Sequence, residues 1–195
     1  MTEKFKLAFA ATMKNEGGYA NNSHDRGGET WRGIARNFWK SWPGWKIVDE
    51  IKSQKPTSLN TALQKSEVLD SLVLKFYKQN FWDPQNIDLI NSNQISLQLF
   101  DMSVNSGITR GAKILQEAIN ELNPNTQIAV DGIIGKATIA AANALKHEAL
   151  YNQINILRSA FYERIIEKDP TQERFRKSWF SRINSFKANN DTSLA

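Results

Sequence analysis

The sequence predicts a mostly α-helical fold with a short glycine-rich loop or β region near its N-terminus. Three observations carry this. Apolar residues recur at three- and four-residue spacing through most of the chain. Glycine, asparagine and aspartate cluster between residues 16 and 30, where helical spacing is lost. Finally, no internal repeat or low-complexity segment interrupts the rest. With 195 residues, 41% hydrophobic and 23% charged, the chain suits one globular domain, or one domain with a small appended subdomain.

The elements follow in order. Phe5, Phe9, Thr12 and Met13 predict an amphipathic helix over residues 3–15, stopped by Gly17 and Gly18. The loop to Gly28 has room only for turns or short extended segments. Thr30 is expected to cap a second helix, with Ile34 and Phe38 on one face. Trp39, Trp42 and Trp45 surround a Pro43-Gly44 turn and are expected mainly in packing, with a carbohydrate-stacking rim as the alternative. Val68, Leu69, Leu72, Val73, Phe76 and Tyr77 form a helical stripe ended by Asp83-Pro84. Residues 95–104 fit both strand and helix periods and are read as a buried helix. Helices are also expected over 108–122 and 137–145, with an Asp131-Gly132 turn between them. Leu150, Ile154, Leu157, Phe161 and Ile165 predict a long amphipathic helix broken at Pro170, and 173–186 a last one. A soft boundary near 84–92 divides the chain into residues 1–90 and 91–187, leaving 188–195 as a frayed tail.

Composition narrows the chemistry. The chain has no cysteine, hence neither a disulfide framework nor a thiolate metal site. Its two histidines, His24 and His147, are far apart, so neither a zinc centre nor any cofactor is expected. Leu7–Ala11 is too short an apolar run for a signal peptide, and no run is long enough to span a membrane. The expectation is a protein made in the cytoplasm; an external substrate would require a helper of holin-like or secretion-system type. Net charge is +5. Between Arg158 and Lys187 eight cations face four acids, which suits an acidic polymer or simply a solvated helix face.

The stretch from Glu16 to Thr30 bears chemistry. Cleaving a glycosidic bond needs an acid to protonate the leaving oxygen and a carboxylate to stabilise or attack the sugar. That acid must stay protonated, so it needs a dry setting. Glu16 follows an apolar helix face, at an end where the helix dipole disfavours an acid. Gly17 and Gly18 would let a sugar approach the backbone, and Tyr19 would stack on it or hydrogen-bond it. Asp25, on a polar loop beside Gly27 and Gly28, would stay ionised and position water; Thr30 would hold that water or cap a helix. Each residue alone reads as a helix end or turn; together they read as a site.

Glu16-Gly-Gly-Tyr19, Asp25-x-Gly27-Gly28-x-Thr30 and Gly33-Ile34 resemble the signature of glycoside hydrolase family 108, phage-endolysin-like N-acetylmuramidases sometimes described as secretion activators. The spacing is also similar to the Glu-x8-Asp-x5-Thr triad of phage-type lysozymes, with four residues rather than five before Thr30. Downstream, Leu99-Phe-Asp101-Met-Ser-Val-Asn105-Ser-Gly107, Ala112-x-x-Leu115-Gln116 and Asp131-Gly132-x-x-Gly135-x-x-Thr138 resemble that family's peptidoglycan-binding region, and Phe161-Tyr162 with Trp179-x-x-Arg182 its ending. The resemblance implies a lysozyme-like helical fold, a catalytic region at 1–90, a wall-binding region at 91–187, and Glu16 as the catalytic acid. Asp101 and Asn105 either face the cleft or form a satisfied buried pair. Trp31 stands where the family has Asn, and Ser178 where it has Gly; Trp31 either enlarges a sugar platform or fills the cleft.

The expected activity is therefore cleavage of the β-1,4 bond between N-acetylmuramic acid and N-acetylglucosamine in peptidoglycan glycan strands, in the periplasm or outside the cell. Three alternatives remain at this point. A lytic transglycosylase also needs only one Glu. A non-catalytic wall-binding or secretion-assisting protein would keep the fold. A basic nucleic-acid binder has only charge in its favour, with no recognition motif.

Overall fold

A computed structural model describes residues 1–14, 17–21, 27–188 and Asp191. Two compact units are formed, one by residues 9–80 and one by residues 1–8 with 81–195. Helix α1 (Glu3–Met13) runs through the boundary at residue 8.

In the smaller unit, three short strands form an antiparallel sheet in the order β1 (Tyr19–Asn21), β2 (Glu29–Trp31), β3 (Ile34–Ala35). Tyr19 faces Trp31, Ala20 faces Thr30, and Trp31 faces Ile34. This replaces the helix expected from Thr30 onward. Arg32 and Gly33 both have positive φ, 44° and 79°, the signature of a type I′ turn whose twist matches a two-residue hairpin. Trp31 and Ile34 then sit side by side on one face and are fully buried, whereas Phe38, placed on the expected helix face, is 68% exposed. Helix α2 (Gly44–Ser53) follows the tryptophan turn. Ser58 and Ser66 accept hydrogen bonds from the Thr61 and Leu69 backbones, capping α3 (Leu59–Gln64) and α4 (Glu67–Tyr77). Leu69, Val73, Phe76 and Tyr77 form the buried face of α4. The Tyr77 hydroxyl donates to the Arg32 carbonyl at 2.7 Å, tying α4 to the hairpin turn.

The larger unit is built from α5 (Asn93–Ser106), α6 (Ile108–Leu122), α7 (Lys136–Ala144), α8 (His147–Lys168) and a short α9 (Arg176–Phe180). The ambiguous apolar run is the buried helix α5, started by Ser92, whose hydroxyl accepts from Ile95 N–H at 3.1 Å. Ile95, Leu99 and Phe100 of α5, Leu115 and Ile119 of α6, and Leu150 and Ile154 of α8 are buried in the core. The buried line of α8 runs Leu150, Ile154, Arg158, Tyr162, Ile166, rotated from the expected stripe so that an arginine, not Leu157, lies inside. The helix expected over 173–186 is a 3-10 turn (Pro170–Phe175) followed by α9 alone. Beyond it the backbone bonds to side chains instead. Asn155 donates to the Asn184 carbonyl, and Gln94 bonds both the N–H and the carbonyl of Lys187. Asp191, in the segment expected to fray, is buried and accepts from Ser92 Oγ at 2.5 Å and from Gln94 N–H at 3.2 Å. His147 Nδ1 lies 2.6 Å from its other oxygen. No helix among the described residues is long and apolar enough to cross a membrane.

Candidate active site

Glu16 and Asp25 lie outside the described residues. Around them, the glycines and Tyr19 are placed by the hairpin. Gly17 is exposed, with no described residue within 4 Å of a Cβ built on it. Gly18 has a different role, since a Cβ there would fall 2.2 Å from Asn60 Oδ1, the atom that accepts the Tyr19 N–H at 3.0 Å. Asn60 of α3 thus fixes the start of β1, and a side chain at Gly18 would displace it. Gly28 has φ +65° and packs on Asn37, whose N–H donates to the buried Gly27 carbonyl. Thr30 is not a helix cap but a strand residue whose hydroxyl donates to the Gly28 carbonyl at 3.2 Å.

The pleat separates residues that the motif groups together. Tyr19, Glu29 and Trp31 share one face of the sheet, while Ala20, Thr30 and Ala35 share the other. Trp31 is 0% exposed, so it presents no platform to a sugar and is a core residue. On its face, a network forms that the motif does not reveal. Glu29, only 10% exposed, accepts from the Tyr19 hydroxyl at 2.6 Å and from Lys52 Nζ at 2.7 Å on one oxygen. Arg36 Nε meets the other oxygen at 2.8 Å. Arg36 also forks onto Asp49 at 2.7 and 3.1 Å and lies over the Trp45 ring at 4.5 Å.

Burial alone would favour a neutral Glu29. Lys52, the Tyr19 hydroxyl and Arg36 outweigh it and hold the carboxyl below its ordinary value. Burial and the neighbouring Glu29 push the Tyr19 hydroxyl up, and bonding to Glu29 raises Lys52. Glu29 is therefore an ionised brace joining β1, β2 and α2, and the wrong kind of carboxyl for proton donation. Sequence reasoning passed over it because it lies inside the motif as an unremarked x. Its signal is the hairpin register, which sets Glu29 diagonally across from Tyr19.

Asp101 and Asn105 make their bonds within the larger unit. Asp101 pairs with Arg158 through Nη2 and with Arg182 Nη1 at 2.8 Å. Asn105 Nδ2 donates to the Asp101 carbonyl at 2.7 Å and to its carboxylate at 3.2 Å. Arg158 also donates through Nε to the Tyr162 hydroxyl at 2.8 Å. Burial opposes the Arg158 charge, but Asp101 and Tyr162 raise its pKa above the ordinary guanidinium value. Asp101 is thus buried and satisfied, whereas Asn105 bonds to it from an exposed position. Among the described residues, no group of three or more His, Asp or Glu could hold a metal.

Residues 9–107 match the family model described as Glycosyl hydrolase 108. Residues 110–184 match that described as Predicted Peptidoglycan domain. Among solved structures, one described as Brucella abortus SagA is similar with a TM-score of 0.60 at 22% identity, covering 92% of this chain and 88% of that one; the likeness is one of fold. No curated protein matches the chain.

Proposed function

We propose that this chain, which belongs to the glycosyl hydrolase 108 family and is a peptidoglycan-acting glycoside hydrolase, is an N-acetylmuramidase with Glu16 as its general acid. It cuts the β-1,4 bond between N-acetylmuramic acid and N-acetylglucosamine. The observation that carries this is the state of Glu29. The described carboxylate of the hairpin is held ionised by Lys52, Arg36 and Tyr19, which leaves Glu16 and Asp25 of the motif; Glu16, following an apolar helix face, is the candidate donor. Glu16 directly precedes the exposed Gly17. Asp25 is the candidate to hold water, and Thr30, on the sheet face away from Tyr19, to assist it. Residues 1–90 carry cleavage and residues 91–187 retention on the wall. The protein is made in the cytoplasm and reaches the wall through a holin-like or secretion-system helper.

The non-catalytic alternative rested on Trp31 filling the cleft and on a basic C-terminal surface. Trp31 is instead core. Arg158 and Arg182 are engaged by Asp101, and Arg176 by Glu163 and Glu173, so that part of the basic excess is not displayed as free charge.

The test is release of soluble muropeptides from purified peptidoglycan, with product masses. The wild type should give reducing-end products, and Glu16→Gln should lose about 10²- to 10⁴-fold in rate, the range for removing a general acid. Anhydro products would instead establish a lytic transglycosylase. Equal turnover by Glu16→Gln would remove Glu16 from the mechanism.

A further inference from the structure

The turn after the hairpin leaves two adjacent aromatics in solvent, Phe38 and the 38%-exposed Trp39. A single exposed apolar side chain is ordinary, but Trp39 is held from every side but one. Its N–H donates to the Ala35 carbonyl at 3.0 Å. Its carbonyl accepts from the Trp42 N–H at 3.0 Å and from Trp45 Nε1 at 2.8 Å. Its ring meets Phe76 at 4.8 Å and 89°, an edge-to-face contact. The free part of the indole walls a cavity of about 310 Å³, at the small end of the range for ligand sites.

The rest of the lining is informative. Pro43 and Leu72 continue the apolar wall, and Ser41, Gln79 and Asn80 bring a hydroxyl and two neutral amides. Asn80 uses one N–H on the Phe76 carbonyl at 2.8 Å. Lys75 is the only charged group in the lining and has no ion-pair partner among the described residues. Among the described residues, no carboxylate lines this cavity, nor does any described member of the Glu16–Thr30 motif. A pyranose ring has a face of C–H groups that packs on an aromatic, and an edge of hydroxyl and acetamido groups that neutral amides and hydroxyls satisfy.

We infer that this cavity is a second carbohydrate site, taking one N-acetylated sugar of a glycan strand against Trp39, with Lys75 meeting the lactyl carboxylate when that sugar is a muramic acid free of its stem peptide. The inference rests on the reading of the chain as a glycan hydrolase, but on residues apart from the proposed cleavage site. Such a site holds the polymer while the motif acts elsewhere along it.

The experiment is an NMR titration of the full-length Glu16→Gln protein with two probes. One is a peptide-free tetrasaccharide of alternating N-acetylglucosamine and N-acetylmuramic acid, and the other is chitotetraose. The Trp39 indole N–H, identified by its loss in Trp39→Phe, should shift saturably with both. Removing roughly 50 Å² of apolar contact by Trp39→Ala should weaken binding about five- to tenfold. Gln79→Ala, at an exposed residue, should also weaken it. Lys75→Ala should erase the preference for the muramic probe. An unmoved Trp39 resonance, or shifts confined to Gly17–Tyr19, would overturn the site. Wild-type turnover is followed in parallel. Absence of product there would defeat the muramidase reading while leaving the Trp39 titration to stand or fall by itself.

Discussion

Glu29 in the smaller unit and Asp101 in the larger are both carboxylates wrapped by cations, built in opposite ways. Glu29 draws Tyr19 from 10 residues away and Lys52 from 23, all within the hairpin and the helix that follows it. Asp101 draws Arg158 from 57 residues away and Arg182 from 81. The partners of Glu29 keep part of their side chains in water, with Lys52 37% exposed, whereas Arg158 is sealed at 1%. A half-wet network can lose a member and let water take its place. A sealed one cannot, because the remaining charge has no other solvent. The first is suited to brace a region where a ligand comes and goes, and the second to lock α5, α8 and the C-terminal segment together.

The largest expected effect is therefore in the sealed cluster. Asp101→Ala should cost about 3–5 kcal/mol by leaving Arg158 buried and unpaired, measured by urea denaturation. The double variant Asp101→Leu with Arg158→Met should recover more than half of that loss. If the double variant is as unstable as the single, the cluster acts through shape rather than charge.

Next is Gly28. Its φ of +65° opposes any side chain, and a Cβ at this position would fall 2.7 Å from Asn37 Nδ2. Gly28→Ala should cost about 1–2 kcal/mol, from the left-handed backbone and the displaced Asn37. Gly17→Ala, with no described residue within 4 Å of the added Cβ, should leave stability within about 0.5 kcal/mol of wild type, and any loss of muropeptide release would then mark Gly17 as a residue the substrate approaches.

Glu29→Gln should cost about 1 kcal/mol at neutral pH, since its partners can turn to water. Its pH dependence has a definite sign. The folded carboxyl is held below its ordinary value, so its contribution is complete above that value, about 4.3, and is lost as pH falls through the lowered folded one. Wild type and Glu29→Gln should therefore differ at pH 7 and converge in acid. Asn60→Ala should cost a similar amount, about 0.5–1.5 kcal/mol for the lost bond to Tyr19 N–H, read most directly as faster hydrogen exchange at Tyr19.

The helices were legible where apolar residues kept helical spacing over several turns, as in α4; α5, whose spacing also fits a strand, is a helix begun by the Ser92 cap. The hairpin was not, because strands of three and two residues are too short for alternation to outvote the four-residue spacing of Ile34 and Phe38. Its one local clue is Gly33 in the turn. The C-terminal helix is shorter than its spacing suggests because residues 182–187 meet their bonds in Asp101, Asn155 and Gln94, side chains distant in sequence.

By itself, the sequence determined the helical class, the family signature and the type of chemistry, because these rest on residue identity and on spacing over a few turns. Only the tertiary structure decided that Trp31 is core, that Glu29 is an ionised brace, that Thr30 and Tyr19 lie on opposite faces of the sheet, and that Arg158 belongs inside α8's buried face. Each of those depends on which distant group satisfies a buried charge or fills a buried face. Spacing along the chain carries no information about partners so far away.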